Sequence, residues 1–259
     1  LVEGSRVESW ARNVVAWVSR SEGPPDALNR NLDGQGLSFG VLQWTQRSGN
    51  LGVLLGALFE ADPGAFAATF GPSWARVLEV TRRGSLEPVD GAALWDEPWA
   101  ARFAAAGRHP PFVEAQWRLA ASGEHWRGAE AVAARLGVRT ERAMTLFFDR
   151  SVHQGPAGAR RVAEQLVAAY ARAGRTSVPY LQLLVDYGAL AAAPFRRRTA
   201  PANAVWSASA PHLTWQPVGG EWHAVTGPFD LYALVVKRTG DILRTAALAD
   251  TPLPAAAAA

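Results

Sequence analysis

Apolar residues recur at helical spacing along most of the chain. Val7, Trp10, Ala11, Val14, Val15 and Val18 repeat at i, i+3, i+4, which predicts an amphipathic helix over residues 6–21. Gly23, Pro24 and Pro25 stop it and leave Glu22 at its end. Residues 27–33 then lead to Asp33-Gly34-Gln35-Gly36, a strong turn signal. The run 37–44 (Leu-Ser-Phe-Gly-Val-Leu-Gln-Trp) is the best strand candidate, and the two segments together predict a small hairpin. After a polar turn over 45–50 the helical pattern returns, over 51–60, 63–70, 72–82, 97–106, 111–122, 125–136, 140–152, 157–173 and 178–190, with Gly or Pro at the breaks. Residues 191–217 hold four Pro and the run Arg196 to Arg198 but few periodic apolar positions, and read as a long excursion or lid. Residues 221–236 read as a final strand pair or a short helix, and 254–259 as a low-complexity tail or linker stub. No repeat of 20–50 residues is visible.

Composition narrows the classes. With 49% apolar and 19% charged residues in 259, the chain is globular and long enough for one large domain with two lobes. The divisions expected are about 1–60, 61–190 and 191–236. Cys is absent, which excludes disulfides, thiolate metal sites and thiol catalysis. No apolar run reaches the roughly 18 residues of a membrane span. The start at Leu1 fits a cleaved signal or trimmed leader. Charge is uneven: residues 1–130 carry 12 Arg and 15 Asp/Glu, and residues 131–259 carry 14 Arg/Lys and 8 Asp/Glu. One Lys among 26 bases and 50 Ala point to GC-rich coding rather than a nucleic-acid footprint, and no recognition motif accompanies the charge. The basic second half still suits an anionic polymer.

Two carboxylates bracket the Gly-rich turn, Glu22 at a helix end and Asp33 in the hairpin. A hairpin folded back on the helix can place them across a cleft. Glycoside hydrolysis needs this equipment, one group to protonate the leaving oxygen and one to activate water. The acid needs an apolar setting, which Trp17 and Val18 could supply, and the base suits a polar turn rich in backbone N–H. The spacing fits equally well a solvated helix-end Glu beside a turn Asp. Other chemistries find less support. His109, His125, His153, His212 and His223 form no metal-ligand pair, no Gly-x-Ser-x-Gly elbow is present, and Gly34 and Gly36 fit no phosphate loop. Neither cofactor nor metal is expected.

The segment Asp33 to Gly40, followed by Ser48-Gly49-Asn50-Leu51, resembles the catalytic hairpin of bacterial chitosanases, glycoside hydrolases with the lysozyme-like fold. Phe147-Phe148-Asp149 through His153-Gln154-Gly155-Pro156 resembles that family's later Tyr-Tyr-Asp…His-Gly-Pro stretch. Residues 39–44 are also similar to the Gly-Leu-Met-Gln strand of goose-type lysozymes and lytic transglycosylases. The motifs cover roughly 50 residues, and helical character matches the rest. The resemblance implies a mainly α, two-lobed domain with a small β-hairpin at the active-site cleft. It implies an inverting hydrolase of β-1,4 amino-sugar polymers with Glu22 as general acid, Asp33 as general base and Ser38 at the position of a water-holding Thr. Asp149 falls on a family Asp in a buried charge network beside the cleft, and the family His aligns with Gln154, one place after His153.

Three departures bear on substrate. Gln35 replaces the turn's Arg, Asn50 replaces an acid that meets a cationic sugar amine, and the Glu-to-Asp spacing is shorter. An amide suits a neutral N-acetyl or hydroxyl group. These features favour peptidoglycan over chitosan. Gln35, Gln43, Trp44 and Asn50 are the expected substrate contacts. Trp95, Trp99, Trp206, Trp215 and Trp222 are further candidate sugar platforms, whereas Trp10, Trp17, Trp117 and Trp126 read as core. The partner is then an amino-sugar polysaccharide, with no nucleic acid and no membrane span, for a monomer that is secreted or in the cell envelope. Two readings stay open beside it: a lytic transglycosylase, which needs one catalytic Glu, and a wall-binding module without activity.

Overall fold

A computed structural model describes residues 8–32, 34–197, 212–218, 221–227 and 231–254, with the backbone alone for 196–197 and from 212 to 231. Asp33 and Trp206 lie outside the described residues, and so does Val7 of the first amphipathic run. The chain divides into two compact units, residues 1–123 and 124–259.

In the first unit, α1 (Ser9–Glu22) buries Ala11, Val14, Val15 and Val18 on one face, as their spacing predicts. Three short strands follow, β1 (Leu28–Arg30), β2 (Leu37–Phe39) and β3 (Trp44–Thr45), in an antiparallel sheet ordered β1-β2-β3. The single strand expected over 37–44 is therefore two strands with a tight turn between them. Gly40 at φ 82° and Gln43 at φ 49° supply that turn. Helices α2 (Asn50–Ala61), α3 (Pro63–Phe70), α4 (Trp74–Arg82), α5 (Trp99–Ala106) and α6 (Pro110–Ala120) complete the unit. Asp62 caps α3 by accepting from the Ala65 N–H at 2.9 Å. A chain of edge-on rings joins strand to helices: Phe39 to Phe103 at 5.4 Å, Phe103 to Phe70 at 5.1 Å, and Phe66 to Phe112 at 6.1 Å. Burying such side chains contributes on the order of 2 kcal/mol each.

In the second unit, α7 (Glu124–Leu136) packs along α8 (Glu141–Arg172). The two helices expected over 140–152 and 157–173 are the halves of α8, divided at Gly155 (φ 73°, ψ 157°) just before Pro156. Around this break His125 Nδ1 lies 2.9 Å from the Ser151 carbonyl and donates to it, because a carbonyl can only accept. Helix α9 (Tyr180–Ala192) and a 3-10 turn (Ala193–Arg197) follow. The stretch read as an irregular excursion ends in strand β4 (His212–Val218), paired antiparallel with β5 (Glu221–Gly227). Helix α10 (Leu231–Arg244) runs well past the expected short helix, because Val235, Val236, Thr239 and Ile242 continue its buried stripe. The buried Arg142 clamps its end, donating to the carbonyls of Ile242, Leu243 and Thr245 at 2.8, 3.1 and 2.9 Å and pairing with Asp250 at 2.7 Å.

No helix among the described residues is long and apolar enough to cross a membrane.

Candidate active site

The described chemistry-bearing residues of the first unit lie at the end of α1, on the three strands and their turns, and at the start of α2. Gly23 donates to the Ser19 carbonyl at 2.7 Å and closes the last turn, so Glu22 is the final helical residue, partly exposed. Val18 is buried beneath it, while Trp17 is only partly buried and carries the Arg20 guanidinium over its ring at 4.4 Å. The chain then turns through Pro24 and Ala27 into β1, six residues after Glu22.

The β1–β2 connection holds the position of Asp33. Two asparagines shape it. The Asn29 side-chain oxygen accepts from Leu32 N–H at 3.1 Å, and the Asn31 oxygen accepts from Gly36 N–H at 2.8 Å, with Asn31 itself at φ 61°. Arg47 lies across this turn, its Nε donating to Gly34 O at 3.2 Å and its backbone N–H to Gln35 O at 3.1 Å. A cation is thus held at the turn from β3's far end, while the Gln35 side chain is exposed.

Ser38 stands in the middle strand, opposite Asn29 on one side and Thr45 on the other. It is 4% exposed, and its Oγ donates to Thr45 Oγ1 at 3.3 Å, which in turn donates to Gln43 O at 3.2 Å. With its proton committed to Thr45, the Ser38 oxygen can accept from a water but not donate to it. Gln43 spends its amide inside the fold, donating to Gly40 O at 3.0 Å and Ala27 O at 3.3 Å. Asn50 opens α2 and is partly exposed, its N–H directed to Ser48 Oγ at 3.3 Å.

The tryptophans need correction. Trp44, expected to carry a sugar, is 8% exposed and packs inward. Trp99 is fully buried, its indole N–H donating to Val89 O at 2.9 Å, so it is core rather than platform. Trp126 is buried as expected, but Trp10 and Trp117 are only partly buried, and Arg12 lies over the Trp117 ring at 6.0 Å. Trp95 is partly exposed. Trp215 and Trp222 sit on β4 and β5.

Two glutamines that the periodicity does not single out are fully buried around the hairpin. Gln46 accepts from Leu37 N–H at 3.2 Å and donates to Ser85 O at 2.6 Å. Gln116 accepts from Val41 N–H at 3.1 Å and donates to Pro25 O at 2.9 Å. The available signal for Gln116 is an amide at a core position of its helix, between Phe112 and Ala120.

In the second unit, Asp149 is buried between two guanidiniums, with Arg238 Nε at 2.7 Å and Arg150 beside it. Burial pushes its carboxyl upward, but Arg150 and Arg238 outweigh this and hold it at about 2. Burial, reinforced by the same two cations, pushes His153 down to about 3. The imidazole is therefore neutral in ordinary buffers and cannot serve as a cation. Gln154 donates to the Ala191 carbonyl at 2.5 Å and ties α8 to α9.

A groove of about 460 Å³ opens between α2 and α6, lined by Ala57, Ala61 and Leu119 with Glu60 and Arg118, and includes none of these candidates. Among the described residues no cluster of His, Asp and Glu could hold a metal.

No family model matches the sequence, and no curated protein does. Solved structures do. The native chitosanase of Bacillus subtilis MY002 superposes with a TM-score of 0.57 at 13% identity, over 78% of this chain and 84% of that one. The chain has the chitosanase fold. The GH46 chitosanase of Gynuella sunshinyii in complex with chitotetraose matches 85% of this chain and 98% of its own, with a TM-score of 0.56 and 14% identity. The chitosanase OU01, crystallised with substrate, matches at 0.54 and 18% identity over 83% of this chain and 94% of that one.

Proposed function

We propose that the protein is an inverting glycoside hydrolase of β-1,4-linked amino-sugar polymers. The observation that carries this reading is the chitosanase fold joined to Glu22 at the end of α1, with the three-stranded sheet beginning at Leu28. In the proposed mechanism Glu22 gives its proton to the glycosidic oxygen as the bond to the anomeric carbon breaks. Asp33 takes a proton from the water that attacks the opposite face. Ser38 accepts a hydrogen bond from that water, which its bond to Thr45 leaves it free to do. Each positioned acid or base contributes on the order of 10²- to 10⁴-fold.

Two substrates follow from two observations. The solved neighbours are chitosanases, two of them crystallised with chitotetraose or substrate, which favours chitosan. Gln35 and Asn50 are neutral where the resemblance places an Arg and an acid, which favours a wall polymer with N-acetyl groups. Of the two we assign peptidoglycan, because a polycation gains most from the carboxylate that Asn50 lacks. A wall substrate places the enzyme outside the cytoplasm, secreted or in the envelope.

The test is reducing-end release from peptidoglycan and chitosan in parallel, with Glu22→Gln as control. Activity on the wall that disappears in the variant supports the assignment, and activity on chitosan alone overturns the substrate. Products one water lighter at the new end would replace hydrolysis by transglycosylation. Binding to insoluble wall without product would leave a binding module.

A further inference from the structure

Gln116 joins two stretches of backbone that are distant in sequence. Its Nε2 donates to Pro25 O at 2.9 Å, and its Oε1 accepts from Val41 N–H at 3.1 Å. Pro25 lies three residues beyond Glu22, and Val41 lies three residues beyond Ser38. The side chain is 0% exposed, so neither backbone group has water as an alternative partner there. The chain is cut to fit it: a Cβ on Gly40 would stand 2.3 Å from Gln116 Oε1. The segment after Glu22 is also pressed from α5's end, where a Cβ on Gly107 would stand 2.3 Å from Asp26 Cα. A direct bond completes the joint, Gly40 N–H to Ala27 O at 3.0 Å.

A carboxamide can donate to a carbonyl and accept from an N–H at once, and at neutral charge. A core position filled only for volume would take Leu or Met and save the desolvation of the amide. We propose that Gln116 is a positioning residue that sets the separation between Glu22 and the hairpin of Asp33 and Ser38. The inference rests on the hydrolase reading given above. Inverting hydrolysis needs its two carboxyl groups far enough apart for the attacking water to fit between them, so the arm that holds each one matters as much as the groups themselves.

Gln116→Leu removes both bonds at similar volume, and Gln116→Glu tests rescue. A protonated Glu keeps one donor and one acceptor, whereas an ionised one sets a carboxylate against the Pro25 carbonyl. Burial raises the pKa of such a carboxyl, so its ionisation is drawn into the assayable range. The neighbouring charged groups, Glu22, Asp26 with Arg108, and Arg12 with Glu114, are common to all variants. The ratio of the variant's pH profile to that of wild type therefore isolates residue 116.

The expected result for Gln116→Leu, assayed well below its melting temperature, is a kcat about 10²-fold lower with KM changed by less than about threefold. Gln116→Glu should approach wild type in acid and fall away from it as pH rises. A Gln116→Leu protein that melts earlier but keeps the wild-type kcat overturns the proposal, as does a Gln116→Glu profile parallel to wild type at every pH. If Gln116→Leu does not fold, the Gln116→Glu ratio decides alone. Should wild type cleave no amino-sugar polymer, the hydrolase reading fails by itself, and amide exchange then decides the joint. Faster exchange of Val41 N–H in Gln116→Glu at high pH than at low pH, after correction for intrinsic rates, supports the bridge, and an unchanged rate overturns it.

Discussion

Acidification should destabilise this protein through one imidazole. His153 faces Asp149, Arg150 and Arg238, with the Phe195 ring 6.4 Å away. Burial and the two guanidiniums bring it from an ordinary 6.5 to about 3. The unfolded chain therefore binds a proton near pH 6.5 that the folded chain refuses until about pH 3. Stability rises with pH wherever the unfolded state binds more protons, so it falls as pH drops through this window. From pH 7.5 to pH 5 the loss accumulates over roughly 1.5 units at ~1.4 kcal/mol each, or ~2 kcal/mol. The ring keeps some solvent contact, so this is an upper figure. Asp149 is silent over the same range. Its lowered carboxyl contributes fully above the ordinary 3.8, and that contribution is lost only as pH falls through about 2. Urea unfolding at pH 7.5 and pH 5 measures the difference, with His153→Gln as the variant that cannot titrate. Wild type should lose most of the ~2 kcal/mol and the variant well under half of it. A variant that loses stability as steeply as wild type would refute the reasoning.

Arg142→Met should cost about 3 kcal/mol in urea unfolding, because three carbonyls at the end of α10 and one carboxylate lose their donor; a cost under about 1 would show that solvent replaces it. Gly40→Ala should destabilise by at least ~1–3 kcal/mol, since the position needs φ 82° and its Cβ would meet Gln116; wild-type stability by thermal melting would contradict the turn. His125→Ala should cost about 1 kcal/mol by freeing the Ser151 carbonyl at the break in α8, and nitrogen NMR of the wild-type ring should find a proton on Nδ1.

Most helices are legible because their periodicity is a direct image of burial. α3 matches its expected span of 63–70, and α1 ends at Glu22 where Gly23 and the prolines stop it. The hairpin is legible from its glycines, but its third strand is not. The pattern over 37–44 continues through a turn that depends on positive φ at Gly40 and Gln43, and local composition does not encode such a turn. The reading of 221–236 as a strand pair or a short helix stops before Lys237 and Arg238, whereas α10 runs on to Arg244 with Arg238 buried against Asp149. The tryptophans show a different limit. Trp44 and Trp99 are placed by tertiary packing, and one sequence does not reveal whether an aromatic faces inward or outward. Gln116 and Arg142 escape the sequence reading for the same reason: their partners lie in remote segments and are mostly backbone carbonyls and N–H groups, which have no side-chain signature.

The buried cluster of the second unit also decides how a pH–activity profile should be read. Asp149 stays ionised down to about 2, His153 stays neutral down to about 3, and Arg150 and Arg238 do not titrate in any assay. Between pH 4 and 8, roughly the range of an enzyme assay, this cluster holds one net positive charge and changes none of it. A limb in the activity profile over that range therefore originates outside the cluster. Glu22→Gln should abolish turnover at every pH. His153→Gln should flatten the dependence of melting on pH and leave the kinetic profile in place. If His153→Gln shifted a kinetic limb, the buried cluster would be coupled to the chemistry, and the reasoning from its fixed charge would fail.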